Sequence, residues 1–210
     1  IRFPLAGASG KDSNCQALGS MRTYAFVPKS ADAAVESRLQ YSDWMEAVRT
    51  GATFITSGPL LQFTVDGQPP GSILDLSKKD EPQLMVARME SAVPAGPLEI
   101  ICNGEVVAEA PDGQTLSALV AEVPDSGSCW LAARCLPSSQ PAGLAHTSPV
   151  FVRYNGQMPS NAAVMRNYFE ALQRTANWVE TAGRFEKPRR KELLLAILKQ
   201  AQQALLARLQ

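Results

Sequence analysis

The chain holds a single histidine, His146, followed by Thr147 and Ser148. An imidazole beside hydroxyls is the raw material of a Ser-His-Asp relay. Such a relay needs its serine on a sharp strand-to-helix turn, and no Gly-x-Ser-x-Gly elbow is present. His146 precedes an expected strand, so a hydrogen-bonding role at a loop edge is the reading, with service as a general base the alternative. The four cysteines are Cys15, Cys102, Cys129 and Cys135. They form no Cys-x-x-Cys pair, which argues against a zinc knuckle or a dithiol redox site. Cys129 and Cys135 fall on one expected strand, which holds them too far apart to bridge. Reduced, mostly buried thiols are expected; a bridge from Cys102 to one of the others is the alternative. Thr56-Ser57-Gly58-Pro59 lacks the spacing of a phosphate-cradling loop and reads as a turn joining two domains. Lys187-Pro188-Arg189-Arg190-Lys191 has no interleaved aromatics and reads as a solvated turn, not a nucleic-acid footprint.

Lys plus Arg and Asp plus Glu balance at 20 each. No net field draws the chain to nucleic acid or an anionic membrane, so neither is expected as a partner. No apolar run approaches the roughly 18–20 residues of a membrane span. The N-terminus has no charged-then-apolar signal pattern. The chain opens on Ile1, not Met, and is read as a portion of a longer natural protein.

The elements that must position these residues follow from turn chemistry and periodicity. Arg22–Val27 is a strand stopped by Pro28, and residues 31–40 carry weak helical character. A helix is predicted after Ser42 as N-cap, with Trp44, Met45 and Val48 on one face and Gly51 as its stop. ATFITSG follows as a strand that Pro59 breaks. From Leu60 to Tyr154 some seven short strands are expected, among them LEIIC and EVVAEA around Asn103-Gly104, a type I′ hairpin signal. Short strands closed by turns predict an immunoglobulin-like β-sandwich. After Pro159 the period becomes helical. Val164, Met165, Tyr168, Phe169, Leu172, Ala176 and Val179 form one face. A second helix from Pro188 places Leu193, Leu194, Ile197, Leu198, Ala201, Leu205 and Leu209 inward. The two make a helical hairpin. Packing on the first helix and the sandwich is the plainer reading; if those leucines lie exposed instead, they mark a partner surface, and a homo-oligomer through the terminal helices is the alternative.

GSMRTYAFV, WMEAVRTGATFITSGPLLQFTVDGQPPGS, LEIICNGEVV, SCWLAARC and AHTSPVFV occur in that order. Together they resemble the C-terminal half of a CehA/McbA-type metallohydrolase of the PHP (polymerase and histidinol phosphatase) superfamily. The most specific piece is Trp44 to Pro59. The resemblance implies a distorted TIM-like barrel in which histidines and carboxylates hold divalent metal ions (Zn, Mn or Fe). The metals activate water against an ester or phosphoester. Most of those ligands would lie upstream, so the expected partner is the preceding barrel portion of the same protein. Residues 1–58 would be the end of the barrel, 59–156 the sandwich and 157–210 the hairpin, a mainly β, α+β chain.

The resemblance also implies two site residues. Gly10-Lys11-Asp12-Ser13-Asn14 stands where the family carries a Gly-Ser-Asp-x-His-like motif, which makes Asp12 a metal ligand. Asn14 replaces the imidazole and Lys11 adds a cation, and both weaken metal binding. Arg22, beside Thr23 and Tyr24, would contact a substrate phosphate at the barrel mouth. The plainer readings are a turn residue for Asp12 and an ion-paired rim residue for Arg22. No metal is expected to bind this chain tightly by itself. A different class is a non-catalytic binding module whose sandwich holds a glycan or a protein partner, with Trp130, Tyr154 and Phe63 as the aromatics.

Overall fold

The computed structural model describes residues 3–15, 17–28, 39–76, 83–125, 127–137 and 143–209. The helical tendency over 31–38 lies outside them. The chain forms two compact units, Ile1–Pro159 and Ser160–Gln210.

The first unit is a β-sandwich with one helix. Its described elements are β1 (Arg22–Ala25), α1 (Tyr41–Thr50), β2 (Thr53–Thr56), β3 (Leu60–Val65), β4 (Ile73–Leu76), β5 (Leu84–Ala95), β6 (Leu98–Cys102), β7 (Glu105–Ala110), β8 (Gln114–Glu122), β9 (Cys129–Cys135), β10 (Ala145–Thr147) and β11 (Val150–Tyr154). One sheet is β3-β5-β8. In the other, β9 pairs with β6 on one edge and with β10 and β11 on the opposite edge. β7 extends this sheet past β6, β4 runs parallel beside β11, and β2 then β1 extend it past β10.

Alternation builds the core, because residues two apart share a face. Leu61, Phe63, Val65, Met85, Ala87 and Met89 from one sheet meet Leu98, Ile100, Leu131, Ala133, Val150 and Val152 from the other. Asn103 and Gly104 take φ of 52° and 100°, as the hairpin signal predicts, and Cys102 pairs with Glu105 across the turn. His146, expected just before the last strand, lies in a short strand of its own, β10, ahead of β11. Ser148-Pro149 separates the two, since proline brings no N–H to a ladder. The parallel strand β4 has no counterpart among the predicted strands.

Residues 22–25 and 53–56, expected at the end of a barrel, form the antiparallel pair β1–β2, tied to the sandwich through β10. α1 starts one residue before Ser42, and its N-cap is Gln40. The Asp43 carboxylate accepts from the Gln40 N–H at 2.9 Å, which draws the helix start upstream. Gly51 closes α1 at φ 82°.

The second unit is a hairpin of α2 (Ala162–Thr181) and α3 (Pro188–Leu209). The Asn161 side chain caps α2 by accepting from the N–H groups of Ala163 and Val164. Lys191 donates to the Glu180 carbonyl at 2.8 Å, so one cation of the basic run stands at the negative end of the neighbouring helix. The single apolar face expected of each helix divides in two. Val179 and Leu198 are buried, while Val164, Tyr168, Leu193 and Ile197 are exposed. A two-helix hairpin can turn only one side of each helix toward its mate. The Leu209 side chain lies outside the described residues.

Candidate functional site

Residues 5–9 lie against β1, β2 and the strand break at Ser148. Thr23 Oγ1 accepts from Gly7 N–H and donates to the Gly7 carbonyl, both at 2.8 Å. Ser9 Oγ accepts from Gly19 N–H at 2.8 Å. Leu5 is held at both of its backbone groups. Its N–H donates to Ser148 Oγ at 2.9 Å, and its carbonyl accepts from Thr53 Oγ1 at 2.7 Å. Thr53 Oγ1 and Ser148 Oγ are 2.8 Å apart. Since the Thr53 proton goes to a carbonyl, Ser148 is the donor in that pair. Both hydroxyls are therefore committed to binding backbone, and neither is poised as a nucleophile.

Beside this clip lies a cleft of about 250 Å³, lined by Phe3, Pro4, Arg49, Thr50, Gly51, Gly71, Pro149 and Phe151 as well as Ser148. Its floor is a glycine contact. A Cβ on Gly71 would stand 2.3 Å from the Thr50 carbonyl oxygen and 2.6 Å from the Gly51 carbonyl carbon. Gly71 also has φ 85°, and its N–H donates to the Pro149 carbonyl at 2.9 Å. Arg49, on the cleft wall, is exposed and 3.8 Å from Glu46. Among its described residues the cleft sets rings and prolines beside one guanidinium, and no nucleophile there is paired with a base.

A second polar group crosses the outer face of the larger sheet. Register sets Glu109, Glu99, Arg134 and His146 in one row, continued by Ile55 and Thr23. Arg134 Nε donates to Glu99 Oε2. His146 Nδ1 lies 2.8 Å from the Thr147 carbonyl. A carbonyl only accepts, so the neutral ring carries its proton on Nδ1. Burial lowers the His146 pKa, the Thr147 carbonyl opposes this, and the Arg134 charge adds to the lowering. Thr147 Oγ1 accepts from Ala133 N–H at 3.0 Å. The His-Thr-Ser run thus supplies strand-pairing contacts and no relay.

Asp12 lies in the exposed loop before β1, with Lys11, Ser13 and Asn14 also exposed. Arg22 is exposed on β1, opposite Thr56. Among the described residues no three His, Cys, Asp or Glu side chains gather as a metal cage. The Thr56 corner is built from its own hydroxyl, which donates to the Pro59 carbonyl and accepts from Gly58 N–H. Ser57 Oγ accepts from Leu144 N–H at 2.9 Å. Phe63 is in the core, while Trp130 and Tyr154 are half-buried. None of the cysteines is in a disulfide; Cys15 is exposed and the other three are buried. Burial raises the Cys135 pKa, and its Sγ lies 3.2 Å from the Gly96 carbonyl. No described helix is long and apolar enough to cross a membrane.

Sequence reasoning missed the Thr53–Ser148 clip and the Gly51–Gly71 contact. Their only trace is the residue types, a Gly after Pro-Pro and a Ser before Pro.

No protein-family model and no curated protein matches the chain. Solved structures similar over part of it include a lytic polysaccharide monooxygenase of Jonesia denitrificans, at 12% identity and a TM-score of 0.27. That alignment covers 40% of this chain and 60% of the monooxygenase. The CARDB domain of the PF1109 protein of Pyrococcus furiosus, solved with di-metal ions, aligns at 11% identity and a TM-score of 0.27. It covers 47% of this chain and 96% of that domain.

Proposed function

We propose that this chain is the accessory region of a PHP-like, metal-dependent ester or phosphoester hydrolase, docking against a barrel that carries the metal ions. The observation that supports this reading is a run of exposed apolar side chains in the stretch nearest the predicted join, two of them stacked on a neighbouring ring, Tyr24 on Phe54 and Tyr41 on Trp44. Phe3, Leu18, Tyr24, Phe26, Leu39 and Tyr41 are all exposed, within the stretch that the resemblance assigns to the barrel's end. Large exposed apolar groups that share a surface mark an interaction site, and the reading takes these side chains to share one. β1 adds to it, pairing only with β2 among the described residues and so leaving an open strand edge. β1 and β2 run antiparallel, so in this reading they form a rim beside the barrel and not two of its parallel strands.

The sandwich itself is immunoglobulin-like in this reading. Its support is the strand order β3-β5-β8 facing β7-β6-β9-β11-β4, with the chain switching sheets between β7 and β8. Asp12 supplies one carboxylate to the metal site, and Arg22 faces the substrate phosphate. The metals, Zn, Mn or Fe, supply an acidified water when the site is complete.

Two measurements test the reading. In the full-length protein, Asp12→Asn and Arg22→Ala are expected to lower phosphodiester hydrolysis by about tenfold or more; unchanged rates remove both assignments. Elemental analysis of the 210-residue chain is expected to find no stoichiometric transition metal, and a tightly bound equivalent overturns the accessory role.

A further inference from the structure

The helical hairpin carries a second apolar face. On α2, Val164, Tyr168, Ala171, Thr175 and Trp178 recur at alternating steps of four and three. Leu193, Ile197, Gln200, Ala204 and Ala207 do the same on α3. Such a repeat is the seam of a helix bundle. Each residue except Ala207 stands one position before the inter-helix set of Met165, Phe169, Leu172, Ala176 and Val179, or of Leu194, Leu198, Ala201 and Leu205. In two antiparallel right-handed helices that offset turns both rows to the same side of the pair. Tyr168 is 64% exposed, Trp178 59%, Leu193 61% and Ile197 53%, so this side is left in water. The next row on α2, Arg166, Glu170, Gln173, Asn177 and Glu180, is wholly polar.

We propose that this face pairs with the same face of a second copy, closing a two-fold symmetric four-helix bundle. The size is sufficient. Helices of 20 and 22 residues are about 30 Å long at ~1.5 Å per residue. Two of them about 10 Å apart present roughly 600 Å² per copy. The total, about 1,200 Å², reaches the size of a specific interface. The hairpin also needs a partner, because Val179 and Leu198 are its only buried hydrophobic side chains among the described residues. Units this small stay folded with the help of oligomerisation or covalent staples.

Charge selects the arrangement. α3 carries Arg189, Arg190, Lys191, Lys199 and Arg208 against Glu192, whereas α2 balances Arg166 and Arg174 with Glu170 and Glu180. Two α3 helices side by side would repel. Each α3 therefore lies beside the α2 of the other copy, with Tyr168 and Trp178 packing on Leu193 and Ile197 across the two-fold axis.

Sedimentation equilibrium of the whole chain tests this. The wild type is expected to be a dimer, and a wild type that stays monomeric across concentrations overturns the proposal. Ile197→Glu and Tyr168→Glu are expected to give monomers with unchanged helix content by circular dichroism, while Gln173→Glu on the polar side stays dimeric. A dimer indifferent to both charged variants overturns the proposed face. Should a charge melt the hairpin, Ile197→Ala and Tyr168→Ala keep the helices and decide. A dissociation constant raised about tenfold or more supports the face, and an unchanged one overturns it.

Discussion

Thr53 and Ser148 touch through their hydroxyls at 2.8 Å, both buried, and between them they hold the two backbone groups of Leu5. Ser148 is the donor to Thr53, Thr53 the donor to Leu5. This one node fastens the N-terminal segment to the sandwich at the point where its last strand breaks. Ser148→Ala leaves the Leu5 N–H without its acceptor and Thr53 without its incoming proton. A buried donor left unmade costs about 1–3 kcal/mol. Urea denaturation is expected to show that loss, and limited proteolysis is expected to cut residues 3–9 earlier than in the wild type. An unchanged midpoint with unchanged cutting would contradict the clip.

Gly71 is the second fixed point. Alanine there would drive its Cβ into the backbone of Thr50 and Gly51 at a φ that L side chains rarely adopt. Overpacking alone costs about 1–3 kcal/mol, and the backbone strain adds to it. Gly67→Ala makes a useful comparison. Its φ is also positive, at 72°, yet nothing lies within 4 Å of the new methyl. Thermal denaturation should find Gly71→Ala clearly the worse of the two.

His146 gives the fold a pH dependence with a defined sign. Its pKa in the folded chain lies below the ordinary 6.5. As pH falls through 6.5, the unfolded chain takes up the proton first, so unfolding gains and stability is lost. The loss continues down to the folded value and then stops. Melting temperatures measured from pH 8 downward should fall in the wild type, and this part of the fall should be missing in His146→Gln. Equal slopes in the two proteins would mean that burial does not hold the ring neutral.

The thiols divide by position. Cys15 is exposed, whereas Cys102, Cys129 and Cys135 are buried, and Cys135 is also held protonated by its surroundings. A thiol reagent is expected to label Cys15 within minutes in native buffer and the other three only in denaturant. Mass spectrometry of the labelled peptides reads the result directly. Native labelling at Cys129 would be incompatible with its position in the sandwich core.

Local chemistry was legible wherever one or two residues set the backbone. Asn103-Gly104 announces its hairpin, Gly51 the end of α1 and Pro188 the start of α3, because Asn and Gly accept the positive φ that a turn or helix stop requires and proline fixes its own φ. Pairings across distance were not. Thr53 and Ser148 are 95 positions apart, and nothing in either residue type names the other. The parallel strand β4 was hidden for the same reason, since Ile73–Leu76 has meaning only beside β11. On the hairpin, hydrophobicity marked the right residues but could not say which row faces the mate and which faces outward. Asp12 and Arg22 came from resemblance alone. The structure gives them an exposed loop and the last strand of the sheet among the described residues, places where residue type imposes little on geometry.

The break at Ser148-Pro149 divides the final strand between two sets of neighbours, and this has a mechanical consequence. Tension entering the first unit from its C-terminal side would open the Tyr154–Gln157 bridge and then load Tyr154. It would peel β11 from β4 and β9 while β10 kept its grip on β2. The N-terminal clip would bear no load until that peeling was complete. The molecule therefore has a built-in order of rupture, with a sacrificial half-strand ahead of the segment that anchors its beginning.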